Sequence, residues 1–249
     1  MSDLVERPAD TAVVIPAKDE AERIGATVAA AMRLPGVDLV VVVDDGSTDE
    51  TGRVAKAAGA RVVRHSRNAG KAAAMESGAE AVRLLDEETP RHLLFLDADL
   101  GETAQQAAPL IAPVRSGTAD MTIAVFATRV KLGGHGIVVR LARDGIKRAT
   151  GFDAAQPLNG QRCLTRAAFD AALPLARGFG VETGLTIDLI RKGFRVQEVE
   201  VEMAHRATGD DWRSQLHRAK QLRDVGWALA AREPAVMKGT DAVLRTIRN

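Results

Sequence analysis

Apolar and polar residues alternate along the first half of the chain in two distinct rhythms. Short apolar runs at 11–16, 37–43, 61–63, 93–96 and near 121–126 read as strands. The run at 37–43 is apolar throughout except Asp38, as expected of a strand buried on both faces. Between these runs, residues 21–32, 49–58, 72–85 and about 103–115 carry helical spacing, with Ile24, Val28 and Ala31 on one face of the first. Strands alternating with helices predict an α/β fold: a mostly parallel, Rossmann-like sheet flanked by helices.

The second half changes character. Residues 131–136 read as a Gly-rich link and 137–150 as a basic amphipathic helix. A loop at 157–161 precedes helices at 165–172 and 181–192, a strand at 194–201 and a long helix at 211–230. This divides the chain into a sheet-forming part at 1–128, a smaller and more helical part at 129–232, and a loosely held tail at 233–249.

Composition narrows the function classes. The 249 residues are 46% hydrophobic and 27% charged, with a net charge of +1, which gives no global preference for nucleic acid. Aromatic residues make up 3% and tyrosine is absent, so a base-stacking platform is not expected. The single cysteine, Cys163, fits a reducing cytoplasm, and no run approaches the roughly 18 apolar residues that span a bilayer. A cytoplasmic protein without a transmembrane segment is expected, with peripheral contact at the inner membrane face left open.

In an open parallel sheet the ligand lies beyond the carboxyl ends of the strands, and here the polar motifs gather at those ends. Strand one runs into Pro16-Ala17-Lys18-Asp19-Glu20 and strand two into Asp44-Asp45-Gly46-Ser47-Thr48-Asp49. Strand three runs into Asn68-Ala69-Gly70-Lys71 and strand four into Asp97-Ala98-Asp99. Two carboxylates two residues apart at a strand end can address one oxygen-liganded cation, Mg²⁺ or Mn²⁺. Asp44 or Asp45 is suited to accept hydrogen bonds from a base or ribose. Gly70 and Lys71 open a helix, where amide N–H groups and a lysine attract phosphate. His205, returning after the last strand, can complete a metal shell begun by Asp99.

Together, Val-Val-Ile-Pro-Ala-Lys-Asp-Glu (13–20), Asp-Asp-Gly-Ser-Thr-Asp (44–49), Asn-Ala-Gly-Lys (68–71) and Leu-Asp-Ala-Asp (96–99) resemble the nucleotide-binding half of GT-A glycosyltransferases of family 2. The second half resembles the glucosyl-3-phosphoglycerate synthases, a related group. The residues carrying this are Gly180-Val181-Glu182-Thr183-Gly184-Leu185 with Ile187-Asp188, then His205-Arg206, and Gln156-Pro157-Leu158-Asn159-Gly160. The resemblance implies a GT-A fold, metal ligation by Asp99 and His205, and uridine and diphosphate contacts from Pro16, Ala17, Glu20, Ser47, Lys71 and Asp97. Ala98, within the same motif, joins the donor contacts. Glu182 matches an acidic residue near sugar and acceptor and is, with Asp97, the expected catalytic residue. The synthases also imply retention of anomeric configuration.

One segment departs from that group. Where the synthases hold phosphoglycerate with Gly-Arg-x-Thr, this chain has Gly136-Ile137-Val138-Val139-Arg140, without the arginine and threonine suited to gripping phosphate or carboxylate. The acceptor is expected over residues 133–150, with Gly136 and Arg140, and over the loop at Asn159 and Gly160. The expected activity is transfer of a hexose from a nucleotide-diphosphate sugar, UDP-glucose foremost, to a phosphorylated small molecule. Arg140, Arg143, Lys147 and Arg148, beside Ile137, Leu141 and Ile146, also suit a membrane-surface helix presenting a polyprenyl-phosphate acceptor. Helix 211–230 suits packing or homodimer formation through Trp212, Leu216, Ala219 and Leu222. A non-catalytic nucleotide-sugar-binding module is the reading from another class. A dinucleotide-binding dehydrogenase is disfavoured because no G-x-G-x-x-G follows strand one. A sugar nucleotidyltransferase would need a Gly-rich loop with an arginine there, and that loop is absent.

Overall fold

A computed structural model describes residues 11–86, 89–127, 136–203 and 212–232. The expected residues His205, 131–135 and the tail from 233 lie outside this set. The described chain forms a seven-stranded sheet flanked by helices, with strand order β3-β2-β1-β4-β6-β5-β7. The strands are β1 (Thr11–Ala17), β2 (Val37–Asp44), β3 (Arg61–Arg64), β4 (His92–Phe95), β5 (Met121–Phe126), β6 (Arg162–Leu164) and β7 (Val196–Val201). β1 to β4 are mutually parallel, and β5 and β7 run parallel to each other. β6 is antiparallel to both neighbours, β4 and β5. Apart from β6, the strands therefore deliver their carboxyl ends to one edge, as the sequence predicts for a mostly parallel α/β sheet.

Alternate residues of each buried strand feed two apolar layers. Val13, Ile15, Val40, Val42 and Leu94 meet α1 (Ile24–Ala31), α2 (Thr51–Ala57) and α4 (Ala108–Arg115) on one face. Val14, Val41, Val43, Leu93 and Phe95 meet α3 (Lys71–Leu85), α6 (Arg166–Ala171) and α7 (Val181–Arg191) on the other. Burial on both faces explains why β2 shows no polar alternation over Val40 to Val43.

Two elements differ from expectation. The helix expected at about 103–115 is a 3-10 segment, Gly101–Ala107, followed by α4. Pro109 and Pro113 each lack the N–H that would continue one regular α-helix. β6 is the strand that the sequence pattern does not predict: three residues led by an arginine carry no strand period, and only pairing on both sides makes them a strand.

Because β5 lies between β6 and β7, one sheet spans both sides of the boundary expected near residue 128. α5 (Gly136–Thr150) and α8 (Trp212–Ala230) pack beside it, with Val225 against Val138 and Ala142. Leu222, expected on the packing face of α8, is exposed, and Val225 and Ala228 are buried instead. The side chains of Trp212, Leu216 and Ala219 lie outside the described set. Arg232 closes the end of α8 onto α7 by donating from Nε to Asp188 at 2.8 Å. No helix among the described residues is long and apolar enough to cross a membrane.

Candidate active site

The loops after β1 and β2 are sewn to each other. The Asp19 amide donates to Ser47 Oγ at 3.0 Å, the Thr48 amide to Asp19 Oδ1 at 2.8 Å, and the Glu20 amide to Thr51 Oγ1 at 2.8 Å. Asp19 holds a positive φ of 55°, and its carboxyl is drawn down to about 2 by Lys18 and the Thr48 amide. The Asp45 amide donates to Ala17 O at 2.8 Å, locking the two strand ends together. Gly46 turns at φ 71°, and a Cβ there would sit 2.7 Å from the backbone at Arg67 and Asn68. The chain can cross at that point only as glycine.

The two adjacent acids of this loop have different tasks. Asp45 is 5% exposed, and both its oxygens are taken by protein donors. Oδ1 accepts from the Ala69 amide at 2.7 Å and meets His65 Nδ1 at 2.8 Å, while Oδ2 accepts from the Gly70 amide at 2.8 Å. His65 Nε2 in turn meets Ser77 Oγ on α3 at 2.9 Å. Burial would raise the Asp45 carboxyl, but the Ala69 amide, His65 and the Gly70 amide outweigh it and bring it below the ordinary value. Asp45, expected among the donor contacts, thus uses its carboxylate to hold the loop leading into Lys71. Asp44, 1% exposed, accepts from the Ser47 amide through Oδ1, and its Oδ2 has no hydrogen-bond partner among the described residues.

At the centre, Lys71 begins α3 and bridges two carboxylates, Asp97 Oδ1 and Glu182 Oε1, each at 2.9 Å. Burial alone would lower the ammonium's pKa, but Asp97 and Glu182 outweigh it and hold the group above the ordinary lysine value. Gln161 Nε2 donates to the other Asp97 oxygen at 2.9 Å. Gly160 lies directly against this pair: a Cβ would stand 2.5 Å from Lys71 Nζ and 3.1 Å from Asp97 Oδ1. Gly160 is therefore the residue that lets the loop backbone close over the ion pair. Glu182, in the first turn of α7, is 8% exposed.

The Asp97-Ala98-Asp99 turn is pinned from below. Thr27 Oγ1 on α1 donates to Ala98 O and accepts from the Gly101 amide, both at 2.8 Å. Asp99 is half-buried and accepts no hydrogen bond from a described donor. Asp97 and Asp99 are hard oxygen donors on one turn, which fits an ion such as Mg²⁺ or Mn²⁺. His205 lies outside the described residues.

The expected acceptor residues do not all converge here. Asn159 is used internally, accepting from the Gln161 amide at 2.9 Å and donating to Gln156 Oε1 at 3.2 Å. Arg140 is exposed and donates back to Gly136 O in its own first turn at 3.1 Å. Arg143 and Lys147 latch α5 to the following loop, at Ala154 O and Asp153 respectively. Pro16, Ala17 and Ser47 sit at the β1 and β2 ends with Glu20 beside them, on the edge that also carries Lys71 and Asp97. Sequence reasoning misses His65, Gln161 and Arg162. Burial pulls the Arg162 guanidinium down to about 10, a fall only partly offset by Glu182 and Glu198.

Known proteins share this sequence pattern and fold. The family model described as glycosyl transferase family 2 matches residues 12–156. Glycosyltransferase AglJ of Haloferax volcanii is 31% identical over 211 residues, covering 82% of this chain and 66% of its own length. Glucosyl-3-phosphoglycerate synthase of Mycolicibacterium paratuberculosis is 32% identical over 193 residues, covering 71% of this chain and 58% of its own length. The chain thus spans under two thirds of these relatives. The Mycobacterium tuberculosis synthase solved with Mn²⁺, UDP and phosphoglyceric acid superposes with a TM-score of 0.73 at 27% identity, covering 90% of this chain and 78% of that one. The same enzyme with Mn²⁺, UDP-glucose and phosphoglyceric acid gives 0.70 at 28% identity, covering 90% and 79%.

Proposed function

The chain belongs to glycosyl transferase family 2, and from that membership we propose that it moves a hexose from a nucleotide-diphosphate sugar, UDP-glucose foremost, to a phosphorylated small molecule. The observation that carries this reading is Lys71, held between Asp97 and Glu182 where the strand ends meet. Three carboxylates, Asp97, Asp99 and Glu182, stand against two cations, the Lys71 ammonium and the buried Arg162 guanidinium beside Glu182, so negative charge is in excess by one and a divalent cation is favoured. Asp97 and Asp99, with His205, would hold Mg²⁺ or Mn²⁺, which supplies charge stabilisation to the diphosphate as its bond to the sugar breaks.

The chain's own groups account for the rest. Ser47 and the loop ends at Pro16, Ala17 and Glu20 receive the nucleoside, and the start of α3 at Lys71 offers its dipole and an ammonium to phosphate, the Gly70 amide being held by Asp45. Glu182 is tied to Lys71 and nearly buried. That suits orienting a sugar or acceptor hydroxyl better than abstracting a proton. A phosphate acceptor fits this, because an ionised nucleophile needs no strong base. The relatives with solved complexes use phosphoglyceric acid, but Ile137 and Val139 replace the gripping side chains expected of them. A phosphorylated acceptor would therefore have to be held from other positions.

The test is a thermal-shift panel of UDP, GDP and ADP sugars with Mn²⁺, then acceptor screening with the best donor. UDP-glucose should stabilise most, and EDTA should abolish transfer and donor hydrolysis. Activity indifferent to chelation would remove the metal role, and binding without hydrolysis or transfer would leave a nucleotide-sugar-binding module. A lipid-phosphate acceptor is the second reading, favoured by Ile137, which is 63% exposed on α5 among exposed Arg140, Lys147 and Arg148. Failure to co-sediment with anionic liposomes would end it.

A further inference from the structure

Arg162 opens β6 with 1% of its surface exposed. Its hydrogen-bond acceptors among the described residues are all neutral. Nε donates to Asn159 O at 2.9 Å and Nη2 to Pro157 O at 3.1 Å, both in the loop that lays Gly160 on the Lys71–Asp97 pair. Nη1 donates to Glu182 O at 3.0 Å and to Thr186 Oγ1 at 2.8 Å, both on α7. The Thr186 hydroxyl also donates to Glu182 O at 2.9 Å, so the first turn of α7 is held from two sides.

A buried guanidinium without a hydrogen-bonded counter-ion is expensive, and an apolar side chain of similar volume would fill the space at lower cost. What an apolar residue could not do is span two backbone segments with a rigid planar fork of donors. We propose that Arg162 is a positioning residue: it sets the spacing between the 157–160 loop and the first turn of α7, and so holds Gly160 and Glu182 in place around Lys71. This rests on the reading of Lys71, Asp97 and Glu182 as the transfer site.

Substitutions at Arg162 and at its partners test it. In a crystal structure of Arg162→Met, Glu182 and Lys71 should separate beyond about 4 Å, the limit of an ion pair. In kinetics, Arg162→Met should lower kcat by about 10- to 100-fold with the donor KM changed less than about twofold, because only the chemical geometry is disturbed. In a Glu182→Gln background the same substitution should cost less than about twofold, since residues acting as one unit are not additive. Arg162→Lys keeps the charge but not the fork and should lose nearly as much. Recovery of wild-type kcat by Arg162→Lys, additive losses in the double variant, or an unmoved Glu182 in the crystal would each overturn the proposal. Should Arg162→Met fail to fold, Thr186→Val removes one acceptor without touching charge. It should then lower kcat at constant donor KM, and an unchanged kcat would count against the proposal. A wild-type chain inactive with every donor would sink the functional reading alone, because the crystallographic distance still decides the role of Arg162.

Discussion

Lys71 stands where two anions and one cation must coexist in a half-buried place, so its charge is the part of the site least open to substitution. Its neighbours hold the ammonium above the ordinary lysine value, so it stays charged throughout the neutral range and contributes no limb to a pH–rate profile there. Lys71→Met should lower kcat by about 10²–10³, the loss typical when one preorganised charge donor is removed, as steady-state transfer assays would show. Asp45 makes the complementary case for pH. Its carboxyl titrates lower in the folded chain than the roughly 3.9 of an unfolded aspartate. The stability it contributes is therefore fully present above about pH 4 and is lost as pH falls through the lower folded value. Asp45→Asn should destabilise by about 1–3 kcal/mol near neutrality. Urea unfolding across pH 6 to 3 should show the gap from wild type closing only at the acid end. An equal gap at every pH would mean the carboxylate's charge is not what holds the loop. Asp97, Asp99 and Lys71 can be picked out in the sequence because carboxylates and a lysine at strand ends are a local pattern, whereas Glu182, in the first turn of α7, is reached only through the resemblance to the synthases. His65 cannot, since its value lies in touching Asp45 and Ser77 at once, a tertiary fact.

At the scale of elements, the site is a set of strand-end turns, each steadied by a neighbour that carries no chemistry. The turn after β4 hangs on Thr27, which is wholly buried in α1 and bonds both Ala98 O and the Gly101 amide. Thr27→Val keeps the shape and deletes both bonds, leaving two backbone groups without that partner. It should cost about 1–3 kcal/mol in chemical denaturation and weaken Mn²⁺ binding measured by calorimetry. Unchanged metal affinity with lowered stability would confine Thr27 to the fold. Long elements such as the unbroken apolar β2 and the periodic α3 are legible in the sequence, because an apolar run or a helical period reports burial directly. β6 and the broken helix ahead of β5 are not. A three-residue strand between two partners is defined by its neighbours, and Pro109, at the start of α4, marks a division in a pattern whose apolar spacing still looks continuous.

For the whole molecule, the decisive feature is that six of the seven strands end on one edge while the antiparallel β6 starts there, so that Gly160 and Gln161, just ahead of it, lie on that edge too. One sheet edge thus receives a lysine-bearing helix start from α3, its acids from the β4 end, and its cover from the chain entering β6. Ligands that bind such an edge only in the folded state must raise stability by mass action. UDP with Mn²⁺ at about 100 times the dissociation constant should add about 2.7 kcal/mol, read as a rise in Tm. The two parts of that ligand separate by residue. Asp99→Asn should erase the increment that Mn²⁺ adds over UDP alone, while UDP without metal should stabilise variant and wild type alike, because the nucleoside contacts are proposed at the β1 and β2 ends. If the Asp99 variant kept the full Mn²⁺ increment, the ion would have to sit elsewhere on the edge, and the excess negative charge around Lys71 would need another explanation.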